Sequence, residues 1–452
     1  MKDVVILGAG LTGLTTAHHL RKNGVDLCIL EKGIMAGGVI HSVTENGFTW
    51  EEGPNSGVIA NVEVLRLFED LKNDCQLEVA NENVKRRYIL KGGNWEPLPS
   101  GLKSAVTTPL FTLKDKFRIL GEPFRSPGKN PNETLAELVK RRLGKSFLDY
   151  AIDPFILGVY SGDPNRLVTR FALPKLYNLE QKYGSFIGGT IKKGSEPKTE
   201  EEKKVTRGVF STKGGLSSLI NALKNKIGEE NILTGTSNLT VKPIDSHFLV
   251  SYTDIKGNPV ELETKKVIST VGAHQLDKIL PFVDPAQLAR ITNLYYARVI
   301  EIVLGFNHWE GIKLDGFGGL VPFKENRDIL GALFMSSLFE DRAPKEGALF
   351  SIFMGGVRRA ELCELSDDQV KSILKKEICS TMKLKEFNPE LLKIIRHPWA
   401  IPQYEADTEF RLKAVADLEK KYPGLIIGGN LRNGIGMADR IQQASMLAEA
   451  VI

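Results

Sequence analysis

The chain opens with an apolar run of strand length that passes directly into a helical pattern. Residues 3–7 (DVVIL) form this run, as expected of a parallel strand that is covered on both faces. Residues 14–22 carry apolar positions at helical spacing, and a second apolar run over residues 25–30 ends at Glu31. This order predicts a strand–helix–strand unit. Its first strand is interpreted as buried, and not as a signal peptide, because no small-residue cleavage site follows it.

The rest of the chain alternates between further strand and helix patterns. Residues 86–90 alternate basic and apolar side chains, and the Gly-Gly pair at 92–93 predicts a hairpin turn. Residues 96–204 are mostly helical by pattern and mix apolar with basic side chains. Helices are also predicted at residues 367–383 and near the end of the chain, and buried strands at residues 239–241, 266–270 and 424–427.

A glycine-rich turn joins the first strand to the first helix. The turn has the pattern G-x-G-x-x-G and consists of Gly8, Ala9, Gly10, Leu11, Thr12 and Gly13. Its glycines permit a tight turn, a close approach of backbone to a pyrophosphate, and close packing of helix on strand. The helix N-terminus offers N–H groups and partial positive charge to phosphates. Glu31 is placed to accept hydrogen bonds from an adenosine ribose, so the unit predicts dinucleotide binding.

Two later glycine clusters favour FAD over NAD. Gly37 and Gly38 follow Glu31 and would let backbone approach the pyrophosphate a second time. Near the end of the chain, a predicted strand leads into a segment that opens a helix, with the candidate cofactor contacts Gly429, Asn430, Gly434, Ile435, Gly436 and Met437. A helix N-terminus can stabilise the negative charge of a reduced flavin, whereas a nicotinamide enzyme does not need its C-terminal segment at the cofactor.

Composition and charge narrow the class of protein. The 452 residues, 42% hydrophobic and 25% charged, are enough for two or three globular lobes. A net charge of +5, evenly spread, does not favour a nucleic-acid partner. The four cysteines and seven histidines show no ligand spacing, so we expect reduced thiols and no metal site. His18 and His19, adjacent on a predicted helix, are expected on the solvated surface. No apolar run is long enough to predict a membrane span.

Several longer motifs resemble those of the FAD-dependent protoporphyrinogen oxidases, a family within the monoamine-oxidase-like flavoproteins. Residues 51–56 (EEGPNS) resemble the family's segment beside the flavin, and residues 158–164 (GVYSGDP) its G-V-Y-x-G-D-P loop. Residues 184–189 (GSFIGG) are similar to a run typical of the plant-like branch, and residues 330–344 and 400–404 also match. Two positions depart from the pattern. Val39 stands where amine oxidases usually carry arginine, and Arg440 stands where the family often has cysteine.

The resemblance implies an α/β fold class with three parts. These are a discontinuous Rossmann-type FAD-binding domain at residues 1–85, 205–272 and 412–452, an α+β substrate-binding domain at 86–95 and 273–411, and a mostly helical inserted domain at 96–204. The family's equivalent of the helical segment docks on membranes. Helices that pack on a core show the same amphipathic spacing, so both interpretations of this segment stand.

The resemblance also implies a reaction and residues that serve it. The flavin would take hydrogen from a cyclic tetrapyrrole in three two-electron steps, an oxidation at CH–CH bonds with dioxygen as acceptor, and no catalytic triad is needed. Further implied flavin contacts are Lys32, Gly53, Pro54, Asn55, Ser56 and Val241, the last beside the adenine. Implied substrate contacts are Arg87 for a propionate, Leu304 and Phe317 as walls of an apolar slot, and the backbone of Gly162. The alternative for Arg87 is an edge-strand arginine that is exposed to solvent. The alternative for Leu304 is a residue of the hydrophobic core.

The expected function is the oxidation of protoporphyrinogen IX to protoporphyrin IX in haem biosynthesis. The alternatives are a coproporphyrinogen III oxidase on the same fold, an amine oxidase or carotenoid desaturase, and a flavin-binding protein without turnover. The expected partners are a porphyrinogen, dioxygen and the membrane surface, and a homodimer is left open. The expected location is cytoplasmic, at the inner face of the membrane.

Overall fold

Two seven-stranded sheets form the framework of the computed structural model, which describes residues 1–452 except for the side chain of Leu102. Leu102 belongs to the predicted amphipathic pattern, and that part of the prediction lies outside the described residues. The strands are β1 (Lys2–Leu7), β2 (Leu27–Leu30), β3 (Ser42–Glu45), β4 (Phe48–Glu51), β5 (Gly57–Val58), β6 (Leu77–Val79), β7 (Arg86–Lys91), β8 (Asn94–Pro97), β9 (Val209–Thr212), β10 (Ile232–Leu233), β11 (Ser237–Ile244), β12 (His247–Thr253), β13 (Pro259–Ser269), β14 (Tyr296–Phe306), β15 (Gly316–Leu320), β16 (Gly331–Phe334), β17 (Ala348–Gly355), β18 (Leu391–Pro402) and β19 (Leu425–Ile427).

Helices cover the sheets and fill most of the segment between β8 and β9. They are α1 (Leu11–Lys22), α2 (Val62–Asp70), α3 (Leu102–Thr107), α4 (Leu113–Leu120), α5 (Leu135–Arg142), α6 (Lys145–Phe147), α7 (Asp153–Tyr160), α8 (Thr169–Ala172), α9 (Pro174–Tyr183), α10 (Phe186–Gly194), α11 (Glu200–Lys203), α12 (Ser217–Ile227), α13 (Leu276–Ile279), α14 (Pro285–Thr292), α15 (Met335–Leu338), α16 (Asp367–Met382), α17 (Thr408–Lys421) and α18 (Met437–Glu449). Among the described residues, none of these helices is both long and apolar enough to cross a bilayer.

The first sheet joins distant parts of the chain. Its order is β10-β2-β1-β13-β12-β11, with β19 beside β13. Strand β1 runs parallel to both β2 and β13, and β13 runs parallel to β19. The predicted α/β fold class with a parallel, Rossmann-type nucleotide-binding unit is therefore confirmed, because α1 connects β1 to β2 as a crossover helix.

The last helix of the chain packs against the first. The hydroxyl of Thr16 on α1 donates to the backbone oxygen of Ala444 on α18 at 3.5 Å. The side-chain amide of Asn61, which caps α2, donates to the backbone oxygen of Ala438 at 3.0 Å. Both ends of the chain thus share one hydrophobic core on one face of the first sheet.

The second sheet has the order β18-β14-β17-β16-β15-β7-β8. The predicted hairpin is present as β7 and β8, joined through Gly92 and Gly93. Strand β7 is also parallel to β15, which attaches this early hairpin to strands that come more than two hundred residues later. Helix α16 covers one face of the sheet through Val370, Leu374, Ile378 and Met382. The predicted domain boundaries stay predictions.

The expectation that His18 lies on the solvated surface is wrong. His18 is 4% exposed, and its Nε2 lies 3.2 Å from a carboxylate oxygen of Asp70 at the end of α2. The reason is that α1 is covered by α18 as well as by α12, so more than one face of this helix is buried. Burial lowers the pKa of His18, which favours the neutral imidazole.

A buried ion pair connects the first part of the chain to the loop after α15. The Arg342 guanidinium donates to a carboxylate oxygen of Glu51 at 3.1 Å, and both side chains are 1% exposed. The same carboxylate accepts hydrogen bonds from the Ser42 hydroxyl and from the backbone N–H of Leu216. Arg342 also donates to the Ser211 hydroxyl at 2.7 Å. Both charged groups are therefore hydrogen-bonded, which makes the pair tolerable in the core.

We predict that Glu51→Gln destabilises the protein by about 3–5 kcal/mol, because the substitution leaves the Arg342 cation buried without its counter-charge. The measurement is chemical denaturation followed by circular dichroism. The matched control is the double variant E51M/R342M, which removes both charges and should unfold near the wild-type midpoint. A double variant as unstable as Glu51→Gln would contradict the explanation.

Candidate functional site

The glycine turn after β1 presents backbone atoms, and not side chains, to the open space at the N-terminus of α1. Gly8 has φ +97°, and a Cβ on Gly13 would lie 2.0 Å from the backbone oxygen of Gly8. Gly10 is the N-cap of α1 with extended backbone, and a Cβ built on it meets no atom within 4 Å. Ala9, Leu11 and Thr12 are buried around this turn. The N-terminus of α1 therefore opens onto free space.

The second glycine pair forms the other wall of the same space. The backbone N–H of Gly37 donates to the backbone oxygen of Ala9 at 2.8 Å, and Gly10 and Gly37 form a parallel bridge. A Cβ on Gly38 would lie 3.2 Å from the Cα of Gly10. Sequence reasoning placed both glycine pairs at one pyrophosphate, and the structure brings them together.

Glu31 lies at the end of β2 against the glycine turn. Its carboxylate accepts hydrogen bonds from the backbone N–H groups of Ala9 and Gly33, each at 2.7 Å. Thr236 donates to the backbone oxygen of Glu31 from its N–H at 2.9 Å and from its hydroxyl at 3.0 Å. Lys32 is exposed beside them. Thr236 is a backbone neighbour of Glu31 that sequence reasoning missed, because it follows a strand of only two residues.

The structure does not present the side chain of Val241 to this region. Val241 is fully buried, within the cluster that includes Val5, Leu30 and Val250 beneath the first sheet. The backbone that meets the Glu31 turn belongs instead to Gly235 and Thr236. The contact of Val241 with the adenine stays a prediction.

The segment 53–56 lies directly beside the second glycine pair. A Cβ on Gly53 would lie 2.0 Å from the backbone oxygen of Val39, so this position requires glycine. Pro54 and Ser56 are half-buried on either side of Asn55. The Asn55 amide nitrogen donates to Glu301 on β14 at 2.7 Å, and its oxygen accepts from the Ser351 hydroxyl on β17 at 2.5 Å. Asn55 thereby ties this segment to the second sheet.

Glu301 is a buried carboxyl that sequence reasoning did not single out. It is 1% exposed, and its second oxygen lies 3.3 Å from Nε2 of His397 on β18. Burial raises the pKa of Glu301, while the contacts with His397 and Asn55 act in the opposite direction. A single acidic residue within a nearly continuous apolar strand was the available signal.

The C-terminal segment reaches the glycine turn through Thr270. The Thr270 hydroxyl donates to the backbone oxygens of Leu7 and Gly8, at 3.0 and 3.1 Å. A Cβ on Gly429 would lie 3.0 Å from the backbone oxygen of Thr270. Asn430 accepts a hydrogen bond from the Tyr296 hydroxyl at 3.2 Å. The remaining predicted contacts, Gly434, Ile435, Gly436 and Met437, continue into α18, for which Gly436 is the N-cap.

Arg87 and Phe317 lie together on neighbouring strands. Arg87 on β7 pairs in register with Gly318 on β15, and its guanidinium carbon lies 5.6 Å from the centroid of the Phe317 ring. Arg87 is exposed and Phe317 is half-buried. The preceding Arg86 instead forms an ion pair with Asp315 at 2.8 Å. A planar cation beside an aromatic face is a suitable anchor for a flat molecule with a carboxylate.

The structure does not bring Leu304 to the side of Phe317. Leu304 is fully buried and packs with Ile302 and Phe306 in the cluster that contains the inner face of α16. Phe317 packs at the margin of a different cluster, which contains Val303 and Phe48. Neighbouring residues of a strand point to opposite faces of the sheet. The prediction of Leu304 as a slot wall is therefore wrong, and its alternative as a core residue holds.

Gly162 lies just beyond the end of α7, after Ser161, which has φ +47°. A Cβ on Gly162 would lie 2.5 Å from the side-chain oxygen of Gln403, so a larger residue there would displace this amide. The amide of Gln403 donates to the backbone oxygen of Tyr160 at 2.9 Å. The buried amide of Gln403 thus joins two segments that resemble motifs of the protoporphyrinogen oxidases, residues 158–164 and 400–404.

The site residues fit an extended dinucleotide that ends in a flat ring. Gly10 leaves space that a ligand, and not this chain, would fill, and α1 supplies N–H groups at that point. The family described as flavin containing amine oxidoreductase matches residues 11–452. The chain belongs to this family. FAD is therefore its cofactor, and when bound it accepts electrons from the substrate.

Relatives match this chain over nearly their whole length. The chain is 29% identical to a protoporphyrinogen oxidase of Arabidopsis thaliana over 100% of this chain and 94% of the relative. It is 30% identical to a mitochondrial protoporphyrinogen oxidase of Nicotiana tabacum, over 100% and 95%. A coproporphyrinogen III oxidase of Bacillus subtilis is 26% identical over 98% and 96%. A solved structure from Exiguobacterium sp. 255-15 matches with a TM-score of 0.82 at 22% identity, covering 100% and 98% of the two chains.

We predict that Gly10→Ala folds as the wild type does but binds FAD at least about tenfold more weakly, because the new methyl group occupies space left for the pyrophosphate. The measurement is fluorescence titration of the apoprotein with FAD, together with its thermal midpoint. The matched control is Gly101→Ala, which also changes a helix N-cap with open space around its Cβ. Unchanged FAD affinity in Gly10→Ala would contradict the placement of the cofactor.

Proposed function

We propose that this flavoprotein oxidises protoporphyrinogen IX to protoporphyrin IX, with dioxygen as the final electron acceptor, in haem biosynthesis. The observation that carries the proposal is the pairing of the Arg87 guanidinium with the Phe317 ring at 5.6 Å. It offers a carboxylate anchor and an aromatic wall together, which a tetrapyrrole with propionate side chains requires. The two plant relatives that bear this enzyme's name and align over nearly their whole length support the same substrate.

The chain's own residues would bind and orient the substrate. Arg87 would form a bidentate pair with one propionate, and this contact fixes the rotation of the macrocycle. Phe317 would pack on the ring face and exclude water from it. The turn at Gly162, held by Gln403, would supply backbone at the same opening. Orientation is the protein's main contribution, since the flavin supplies the redox chemistry.

We propose the flavin placement that the sequence analysis implied. The pyrophosphate would lie between Gly10 and Gly38, and the ring would lie beside the 53–56 segment. The start of α18 would face the pyrimidine edge of that ring. The support is the convergence of four backbone segments on one space, through the contacts among Gly37, Ala9, Thr270 and Gly429.

Coproporphyrinogen III is the second candidate substrate. The relative of Bacillus subtilis is named for this activity. Coproporphyrinogen carries four propionates, so its binding would use more cations than Arg87. The adjacent Arg86 is already paired with Asp315 at 2.8 Å, which favours the substrate with fewer carboxylates.

The deciding experiment supplies each porphyrinogen aerobically to the purified holoprotein and follows porphyrin fluorescence. We expect fast formation of protoporphyrin IX, and slower formation of coproporphyrin III. A faster reaction with coproporphyrinogen III than with protoporphyrinogen IX would make coproporphyrinogen III the favoured substrate. A flavin-containing protein that oxidises neither compound would contradict the proposal.

We predict that Arg87→Ala raises the KM for protoporphyrinogen IX about tenfold or more, because a charge-assisted bidentate contact to a carboxylate is lost. The flavin absorption spectrum should remain that of the wild type. Arg86→Ala is the matched control, since it removes the neighbouring cation that is paired with Asp315, and it should leave the KM nearly unchanged. Equal effects of the two substitutions would contradict the role of Arg87.

We also propose that α4 and the turn after it dock on the cytoplasmic face of a membrane. Leu113, Phe117, Leu120 and Phe124 are 70–89% exposed, and the first three share one face of α4 because they lie four and three residues apart. Lys103 and Lys114 are exposed in the same region. Exposed apolar side chains with flanking lysines are typical of a helix that lies in a lipid interface.

We predict that the wild-type protein sediments with vesicles of phosphatidylglycerol and phosphatidylcholine, and that the double variant F117S/F124S binds them at least about tenfold more weakly, because less apolar area is buried in lipid. Phe410→Ser is the control, as it removes an exposed phenylalanine from α17. Light scattering without vesicles would detect self-association through the same patch. If the wild type bound no lipid and formed dimers that dissociate in F117S/F124S, the patch would be a homodimer interface and not a membrane-docking surface.

A further inference from the structure

Arg440 is a buried cation near the start of the last helix, and its hydrogen bonds go to neutral oxygens. It lies in the first turns of α18 and is 8% exposed. Its Nη1 donates to the side-chain oxygen of Gln443 at 2.9 Å. Its Nη2 donates to the backbone oxygens of Arg432, Asn433 and Gly434, at 2.8 to 2.9 Å. Among the described residues, its buried Nε has no hydrogen-bond partner.

The nearby carboxylates are engaged elsewhere. Asp439, the preceding residue, accepts a hydrogen bond from the backbone N–H of Gly436 at 3.0 Å. Glu419 pairs with Arg432 at 2.7 Å. Arginine stays protonated in proteins, and a buried cation without a partner is costly. Among the described residues Arg440 forms no ion pair, and the adjacent Asp439 carboxylate acts on it only through space. Part of its positive charge is therefore available to a group that is not part of this chain.

The carbonyl contacts also orient the loop from Asn430 to Gly436. The Tyr404 hydroxyl donates to the backbone oxygens of Asn430 and Gly434, at 2.8 and 2.9 Å. In a planar trans peptide, the N–H points opposite to the preceding carbonyl. The N–H of Ile435 therefore points away from Arg440 and Tyr404. Within the described part of the chain, the N–H groups of Gly434 and Ile435 have no acceptor.

We propose that Arg440 is a positioning residue that raises the reduction potential of the bound flavin. It holds a positive charge behind this loop and fixes the carbonyls so that the opposite N–H groups face the pyrimidine edge, where negative charge increases on reduction. The inference rests on the proposed placement of that edge at the start of α18, and it is independent of the substrate. It also gives a role to position 440, where the protoporphyrinogen oxidases often have cysteine.

The test is the midpoint potential of the FAD-bound protein, measured by equilibration with a reference dye. In Arg440→Gln the charge is lost, and we expect the equilibrium between reduced and oxidised flavin to shift about tenfold towards the oxidised form, which corresponds to about 30 mV for a two-electron couple. Arg440→Lys keeps the charge and should keep the potential near that of the wild type. It should bind FAD more weakly, because an ammonium cannot reproduce the fork of hydrogen bonds.

The matched control is Arg432→Gln, which removes a cation of the same loop that is already paired with Glu419. Its potential should equal that of the wild type. Arg440→Cys provides a second neutral variant if the glutamine variant does not fold, and thermal unfolding of each apoprotein reports folding separately. A wild-type potential in Arg440→Gln or Arg440→Cys would overturn the proposal. So would a drop in potential in Arg440→Lys or Arg432→Gln that equals the drop in the neutral variants. Porphyrin formation by the wild type tests the proposed function independently.

Discussion

The site depends on backbone segments that pass too close to one another for side chains to lie between them. Cβ atoms on Gly13 and Gly53 would each lie 2.0 Å from a backbone oxygen, and one on Gly38 would lie 3.2 Å from the Cα of Gly10. These approaches fix the glycine turn, the second glycine pair and the 53–56 segment as one unit. A cofactor with a charged pyrophosphate needs such a wall, because N–H groups can then reach its oxygens without steric hindrance.

Two polar bridges connect this unit to the rest of the molecule. Thr270 joins the glycine turn to the C-terminal segment, and Asn55 joins the 53–56 segment to β14 and β17 of the second sheet. The alternation of side chains along β14 then separates two environments. Leu304 faces the helix-covered core, whereas Val303 packs in the cluster whose margin includes Phe317. Phe317 and the Asn55 bridge thus lie on the face of the sheet opposite the one that α16 covers.

Local patterns were sufficient to predict the elements that build the site. The strand–helix–strand unit, the hairpin after Arg87 and the C-terminal strand and helix all have short-range signals, and the structure contains them. Properties that depend on distant partners were not predictable in this way. The burial of His18 depends on α18, the face taken by Leu304 depends on α16, and the environment of Val241 depends on the neighbouring strands of the first sheet. That the hydrogen bonds of Arg440 go to neutral oxygens likewise appears only when the contacts of its loop are known.

The most direct test of the central claim is a crystal structure of the protein with FAD bound. The account predicts the pyrophosphate between Gly10 and Gly38, the pyrimidine edge at the N–H groups of Gly434 and Ile435, and one face of the ring open towards Phe317. A flavin bound elsewhere, or a ring whose pyrimidine edge lies far from the start of α18, would contradict it.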